Sequence, residues 1–117
     1  MNVVVIRGLL SSPPVWRDLP SGGAAVALEV TTEDEDGVKS SVPVTMVDPR
    51  RRNEIESLST GDEVAVIGRV RRRFFRTGAG TASRTEVVAD DLVRPTQRAR
   101  LHKSLTRVAE VIGSAGD

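Results

Sequence analysis

Three arginines at alternate positions of one apolar segment are the strongest chemical signal in the sequence. Residues 63–75 are typical of a strand, rich in valine and aromatic residues. One face of that strand would carry Arg69, Arg71 and Arg73, with Phe75 at its end. Such a row of cations is costly in a core, but on a surface it can follow phosphates while the ring stacks on a base. The segment therefore predicts a surface for a nucleic-acid strand.

The same arginines can also be interpreted as a solvated strand end. They would then pair with carboxylates of the following segment, which contains Glu86, Asp90 and Asp91. A bulge in the strand would exchange its faces and turn Arg72 and Phe74 toward the functional side. Both interpretations stay open on the residues alone.

Further basic and aromatic residues extend the candidate surface. Arg76 begins a predicted flexible loop, residues 76–82, which contains two glycines, and Arg84 follows that loop. Trp16 and Arg17 are predicted in the loop after the first strand, where the tryptophan suits a core anchor as well as a stacking platform. The complete set of nucleic-acid candidates is Arg7, Trp16, Arg17, Arg69, Arg71, Arg73, Phe75, Arg76 and Arg84.

The distribution of charge supports an anionic partner although the net charge is only +1. Four consecutive acids occupy residues 33–36, whereas residues 63–100 hold nine arginines and four acids. The planar guanidinium group of arginine can donate two parallel hydrogen bonds to a phosphate, which the ammonium group of lysine cannot. A general preference for arginine codons would also explain why 15 of the 17 basic residues are arginine.

The residue types argue against catalysis, so we expect no enzyme activity, no cofactor and no metal site. The chain of 117 residues has one histidine, His102, and neither cysteine nor tyrosine. The acids of residues 33–36 lack the alternating spacing of a calcium loop. No apolar run approaches the ~20 residues of a membrane span, and residues 1–7 lack the pattern of a secretory signal. We therefore expect a cytoplasmic protein without a membrane partner.

The elements that would position these residues are mostly strands. The segments 3–10, 24–32, 38–47, 63–75 and 83–93 are predicted as strands, and 49–58 as a short helix between the third and fourth strands. This order is that of an all-β, five-stranded OB-fold barrel. A five-stranded sandwich or an SH3-like barrel could carry similar strands.

The end of the chain has a helical pattern instead. Residues 97–112 place Leu101, Leu105, Val108 and Ile112 in one apolar stripe, followed by a short polar tail at residues 113–117. So short a stripe is marginal alone. It would pack either on its own barrel or on another subunit, and we give the two options equal weight.

Four segments in order resemble the bacterial single-stranded DNA-binding protein (SSB) family. They are residues 2–9, 19–26, 61–70 and 85–89, and the resemblance spans roughly residues 2–95. It identifies residues 1–95 as an OB-fold single-stranded DNA-binding domain and leaves 96–117 as a helix with a short tail. It also extends to the related primosomal replication protein N.

The resemblance implies sequence-independent binding of single-stranded DNA in replication, repair or recombination. Phe75 falls where the family has a stacking tryptophan, and Arg7 and Arg17 fall near family contact positions. The corresponding face of the fourth strand carries Arg69, Arg71 and Arg73. It further implies a homo-oligomer, a dimer or tetramer, with replication or repair proteins as possible partners.

Two departures from the family pattern suggest a divergent or accessory member. Residues 41–46 lack the tryptophan and phenylalanine that the family often has there, and the chain does not end in an acidic tip. The alternative function is an OB-fold protein-interaction module with weak or no DNA binding, whose contact would be the apolar stripe of the last helix.

Overall fold

Six strands and two helices follow one another in the computed structural model, which describes residues 1–114. Their bounds are β1 Val4–Leu10, β2 Val15–Asp18, β3 Ala24–Glu33, β4 Lys39–Val47, α1 Arg52–Glu56, β5 Glu63–Thr77, β6 Gly80–Val93 and α2 Arg98–Ser114.

Five of these strands close into a barrel. They are hydrogen-bonded in the order β1-β5-β6-β4-β3, and a pairing of Leu9 and Leu10 with β3 closes the ring. The pairing of β4 with β6 is parallel and the other pairings are antiparallel. A closed five-stranded barrel followed by a helix confirms the predicted OB-fold class.

The barrel core is built from the alternate residues of each strand. Val26, Leu28 and Val30 of β3 are almost completely buried, as are Val64 and Val66 of β5. Successive side chains of a strand point to opposite faces, so these valines and leucines converge inside the ring. Ile55 of α1 and Leu58 after it belong to the same cluster, so this short helix covers part of the core.

Two glycines permit close backbone approach where the barrel bends and closes. A Cβ atom on Gly8 would lie 2.3 Å from the carbonyl oxygen of Thr31 on β3. A Cβ atom on Gly68 would lie 2.1 Å from the carbonyl oxygen of Val88 on β6. The register of β5 and β6 shifts beside Gly68 and leaves Asp90 as the extra residue of a bulge.

Two segments predicted as loops are strands. Trp16 and Arg17 lie in β2, where they pair with Val26 and Ala25 of β3. The predicted loop at residues 76–82 is wrong as well, because β5 and β6 stay paired as far as Thr77 and Gly80. In both cases a pairing partner overrides the local turn signals of proline or glycine.

The predicted helix at residues 49–58 is much shorter in the structure. Asp48 precedes Pro49 and has the residue type of a helix cap, but its backbone is left-handed with φ 44°. Its carboxylate accepts a hydrogen bond from the Ala24 backbone N–H at 2.8 Å. The segment after Asp48 is thereby held against the start of β3. Helical structure begins only at Arg52, without a side-chain cap.

The last helix is longer than predicted and only partly covered. Gly113 and Ser114, predicted as tail, belong to α2, and residues 115–117 lie outside the described part of the chain. Its buried residue is Ser104, whereas Leu105 and Ile112 of the predicted stripe are 39% and 54% exposed. Neither helix within residues 1–114 is long and apolar enough to cross a membrane.

The close approach at Gly68 predicts a site-specific effect of a single methyl group. Gly68→Ala should lower the free energy of unfolding by about 1–3 kcal/mol, since the backbone of β6 must move. Gly78→Ala at the hairpin turn is the matched control, because nothing lies within 4 Å of its Cβ position. Urea denaturation measures both, and equal stability of the two variants would contradict the assigned contact.

Candidate nucleic-acid interface

The second half of β5 and the first half of β6 form a hairpin that leaves the barrel. We call residues 69–86 the arm. Residues 69–77 are all exposed, whereas residues 64–68 of the same strand are buried. Beyond Gly68 no residue of β5 pairs with β1, so the arm has two strands and two accessible faces.

The register of the arm places the predicted arginine row on one face. Residues directly opposite each other in a sheet share a face. Arg71 lies opposite Glu86, Arg73 opposite Arg84, and Phe75 opposite Ala82. The bulge lies on β6, so the alternation of β5 continues unbroken and Arg72 and Phe74 stay on the other face.

A buried carboxylate anchors the base of the arm. Glu86 is only 4% exposed and accepts a hydrogen bond from Arg71 at 2.6 Å. Its other carboxylate oxygen accepts a hydrogen bond from the Thr45 hydroxyl of β4 at 2.9 Å. These contacts join β4, β5 and β6 where the arm leaves the barrel.

The surroundings of Glu86 keep it ionised. Burial acts to raise the pKa of this carboxyl, but the hydrogen bonds from Arg71 and Thr45 outweigh burial. The positive charges of Arg71 and Arg73 act in the same direction, and the net result is a pKa below its ordinary value. Glu86 is therefore a fixed negative charge beneath the arginine row.

Other arginines of this region also have acidic partners. Arg69 pairs with Asp90 at 3.0 Å, and Arg84 pairs with Glu29 of β3 at 3.0 Å. The interpretation of the arginines as ion-pair partners is thus realised for Arg69 and Arg71. The arginine side chains in these pairs are about half exposed, so each is oriented but still accessible.

Three arginines of the arm, Arg72, Arg73 and Arg76, form no ion pair with any residue that the structure describes. Arg73 belongs to the predicted arginine row, whereas Arg76 lies with Arg72 on the opposite face of the arm. Arg73 lies opposite another cation, Arg84, and like charges in that position repel. An anion bound between them would relieve that repulsion, so this part of the arm favours a bound anion most.

Both phenylalanines of the arm are accessible. Phe75, the predicted platform, is 39% exposed, and Phe74 on the opposite face is 66% exposed. The Arg72 guanidinium lies 5.8 Å from the centre of the Phe74 ring. The sequence pattern favours Phe74 only if a bulge exchanges the faces of β5, because the pattern does not show that β5 projects beyond the barrel.

The remaining candidates lie away from the arm. Trp16 packs against the barrel core, and the Arg52 guanidinium covers its ring at 4.3 Å from the centroid. Arg17 is exposed on the opposite side of β2. Arg7 forms an ion pair with Glu63 near the other end of β5. The structure therefore brings Arg69, Arg71, Arg73, Phe75, Arg76 and Arg84 together in one region and leaves Arg7, Trp16 and Arg17 outside it.

The acidic segment is a hairpin turn between β3 and β4. A carboxylate oxygen of Asp34 accepts backbone hydrogen bonds from Asp36 and Val38, each at 2.9 Å. Across residues 1–114, no group of three or more histidine, aspartate or glutamate side chains is arranged to hold a metal ion.

The closed five-stranded barrel defines an OB-fold protein, and a basic arm projects from it. The model of the Single-strand binding protein family matches residues 1–95, which is most of the chain. The chain therefore belongs to the single-strand binding protein family. A search of curated proteins finds no match. The matched region ends before α2 begins.

The lowered pKa of Glu86 predicts a pH-dependent loss of stability. Glu86→Gln should reduce the free energy of unfolding at pH 7 by about 1–3 kcal/mol, because a charge-assisted hydrogen bond is lost. A carboxyl with a lowered folded-state pKa contributes its full stabilisation above its unfolded pKa. That contribution diminishes as the pH falls through the folded value. The difference between wild type and variant should therefore be constant above about pH 5 and shrink below it.

Asp90→Asn provides the control because its ion pair with Arg69 is largely exposed. It should change stability by no more than about 1 kcal/mol. Denaturation at a series of pH values measures both variants. A Glu86→Gln deficit that stays unchanged at acid pH would refute the lowered pKa.

Proposed function

We propose that this protein binds single-stranded DNA without sequence preference through the outer face of its arm, which is the face that carries Arg71, Arg73 and Phe75. The observation that carries the proposal is the cluster of arginines and Phe75 on one face of a hairpin that projects from a barrel of this family. Guanidinium groups would contact phosphates, and the Phe75 ring would stack on a base.

The arginines would contribute unequally. On this face Arg73 would bind phosphate most strongly, because it forms no ion pair with any residue of the described chain. Asp90 and Glu86 already orient Arg69 and Arg71 and partly neutralise their charge. These two arginines would therefore position the DNA backbone but contribute less to the affinity.

The proposed contacts explain the absence of sequence preference. Phosphates are the same at every nucleotide, and every base has a face on which a ring can stack. Specific recognition would need side chains that read base edges, which this mechanism does not require. Membership in the family also supports a role in replication, repair or recombination, with a homo-oligomer as the acting form.

Removal of two arginines from the proposed face tests the electrostatic part. Arg73→Gln with Arg84→Gln, which lie opposite each other, should weaken binding of a labelled oligo-dT on the order of tenfold at about 0.1 M salt. The slope of log affinity against log salt should fall by about 1.4, since each phosphate contact on a single strand contributes about 0.7. Fluorescence anisotropy across a salt series measures both quantities.

The matched control is Arg94→Gln with Arg98→Gln, which removes the same charge from the β6–α2 connection and the start of α2, remote from the arm. It should change affinity and salt slope less than the arm variant does. Equal losses in the two variants would show that binding follows overall charge and not the arm.

The two phenylalanines test which face carries the DNA. Phe75→Leu should weaken binding, because a stacked base is stabilised by roughly 1–3 kcal/mol and leucine offers no ring. Phe74→Leu is the control on the opposite face and should bind like wild type. A loss confined to Phe74→Leu would place the DNA on the other face of the arm.

A protein-interaction module is the second candidate, and the exposure of Leu105 and Ile112 on α2 favours it. These side chains could contact another subunit or a different protein. The wild-type titration separates the two functions: salt-sensitive oligo-dT binding supports the first, and no binding at micromolar protein rejects it in favour of the second.

A further inference from the structure

A cleft of about 480 Å³ separates α2 from the barrel. Its walls come from α2, from β6 and from the segment that joins β4 to α1. Five cations line it: Arg50, Arg51, Arg100, Lys103 and Arg107. The family model ends at residue 95, so three of the five lie on a helix outside the matched region.

The orientation of α2 is fixed by polar contacts. Ser104 is buried and donates its hydroxyl hydrogen to Asp91 of β6. Arg100 pairs with Glu54 of α1 at 2.6 Å and lies 3.8 Å from Asp91. Arg100, Lys103 and Arg107 have helical spacings of three and four, so they share one side of the helix. The contacts of Ser104 and Arg100 therefore hold that basic side over the cleft.

Four carboxylates also line the cleft. Asp48 accepts a hydrogen bond from the Ala24 backbone N–H and keeps its full charge. Asp90 pairs with Arg69. Asp91 contacts Ser104 and Arg100. Glu54 is shared by Arg100 and, at 3.7 Å, by Arg51.

Three cations of the cleft, Arg50, Lys103 and Arg107, form no ion pair within residues 1–114. The lining holds five cations and four carboxylates, a net charge of +1, so these three cations are the ones able to bind an anion.

We propose that this cleft is a second contact site for the phosphate backbone of single-stranded DNA. The inference rests on the proposed function of the arm and extends it to α2. Asp90 connects the two sites, since it lines the cleft and also holds Arg69 at the base of the arm. A strand that leaves the arm past Arg71 and Arg69 would therefore meet Lys103 and Arg107 next.

The chemistry of the lining favours backbone over bases. None of the cleft residues, all within the described range, is aromatic, so the cleft offers no platform for stacking. Lysine and arginine donors are suited to phosphate oxygens. The cleft would thus add affinity and contact length to the arm without adding sequence preference.

The proposal predicts an effect of α2 that depends on DNA length. Lys103→Gln with Arg107→Gln removes two charges and retains good helix formers. Binding to an oligo-dT of about 30 nucleotides should weaken on the order of tenfold at about 0.1 M salt, with a salt slope smaller by about 1.4. An oligo-dT of about 8 nucleotides can occupy the arm alone and should bind the variant like wild type.

Two comparisons separate failure of this site from failure of the proposed function. Arg94→Gln with Arg98→Gln is the control of equal charge and should retain wild-type binding to the long oligonucleotide. The proposed role of the cleft would be overturned by equal losses in the two variants, or by wild-type affinity and salt slope in the Lys103→Gln, Arg107→Gln variant. In either case, binding by the wild-type protein would still support the proposed function of the arm. If wild type binds neither length, the proposed function itself fails. Thermal unfolding verifies that the variants stay folded.

Discussion

The length of β5 is the constraint on which the rest of the structure depends. The strand has 15 residues, but its pairing with β1 ends at Gly68. The first part therefore contributes buried valines to the barrel, and the remainder can pair only with β6. An arm with two accessible faces is the direct consequence. The residue types follow this division, because the apolar residues of β5 give way to arginines where its pairing with β1 ends.

The base of the arm combines stability with the proposed function. A buried carboxylate requires compensation, and Glu86 obtains it from Arg71 and Thr45. The same contacts orient Arg71 on the outer face and join three strands. Arg73 and Arg76 lie beyond Glu86 and have no such partner among the described residues, so the uncompensated positive charge lies toward the far end of the arm.

Parts of this arrangement were predictable because they depend on local pattern. Period-two alternation identified β3 and the arginine face of β5, and the position of four segments indicated the family. The errors arose where a distant partner decides the outcome. Trp16 follows Pro13 and Pro14, which predict a loop, yet its backbone pairs with β3 and its ring packs against the core. Asp48 had the sequence position of a helix cap, yet its carboxylate binds Ala24.

By itself the sequence determined the succession of the five barrel strands along the chain, the separation of charge and the shared face of Arg69, Arg71 and Arg73, because each follows from neighbouring residues and the geometry of a strand. Only the tertiary structure decided which arginines are compensated. Ion pairs such as Arg84 with Glu29 join residues far apart in the chain. It also decided that Lys103 and Arg107 face a cleft, since contacts of Ser104 and Arg100 with distant carboxylates set the rotation of α2. Charge is encoded locally, but its compensation depends on which strands and helices meet.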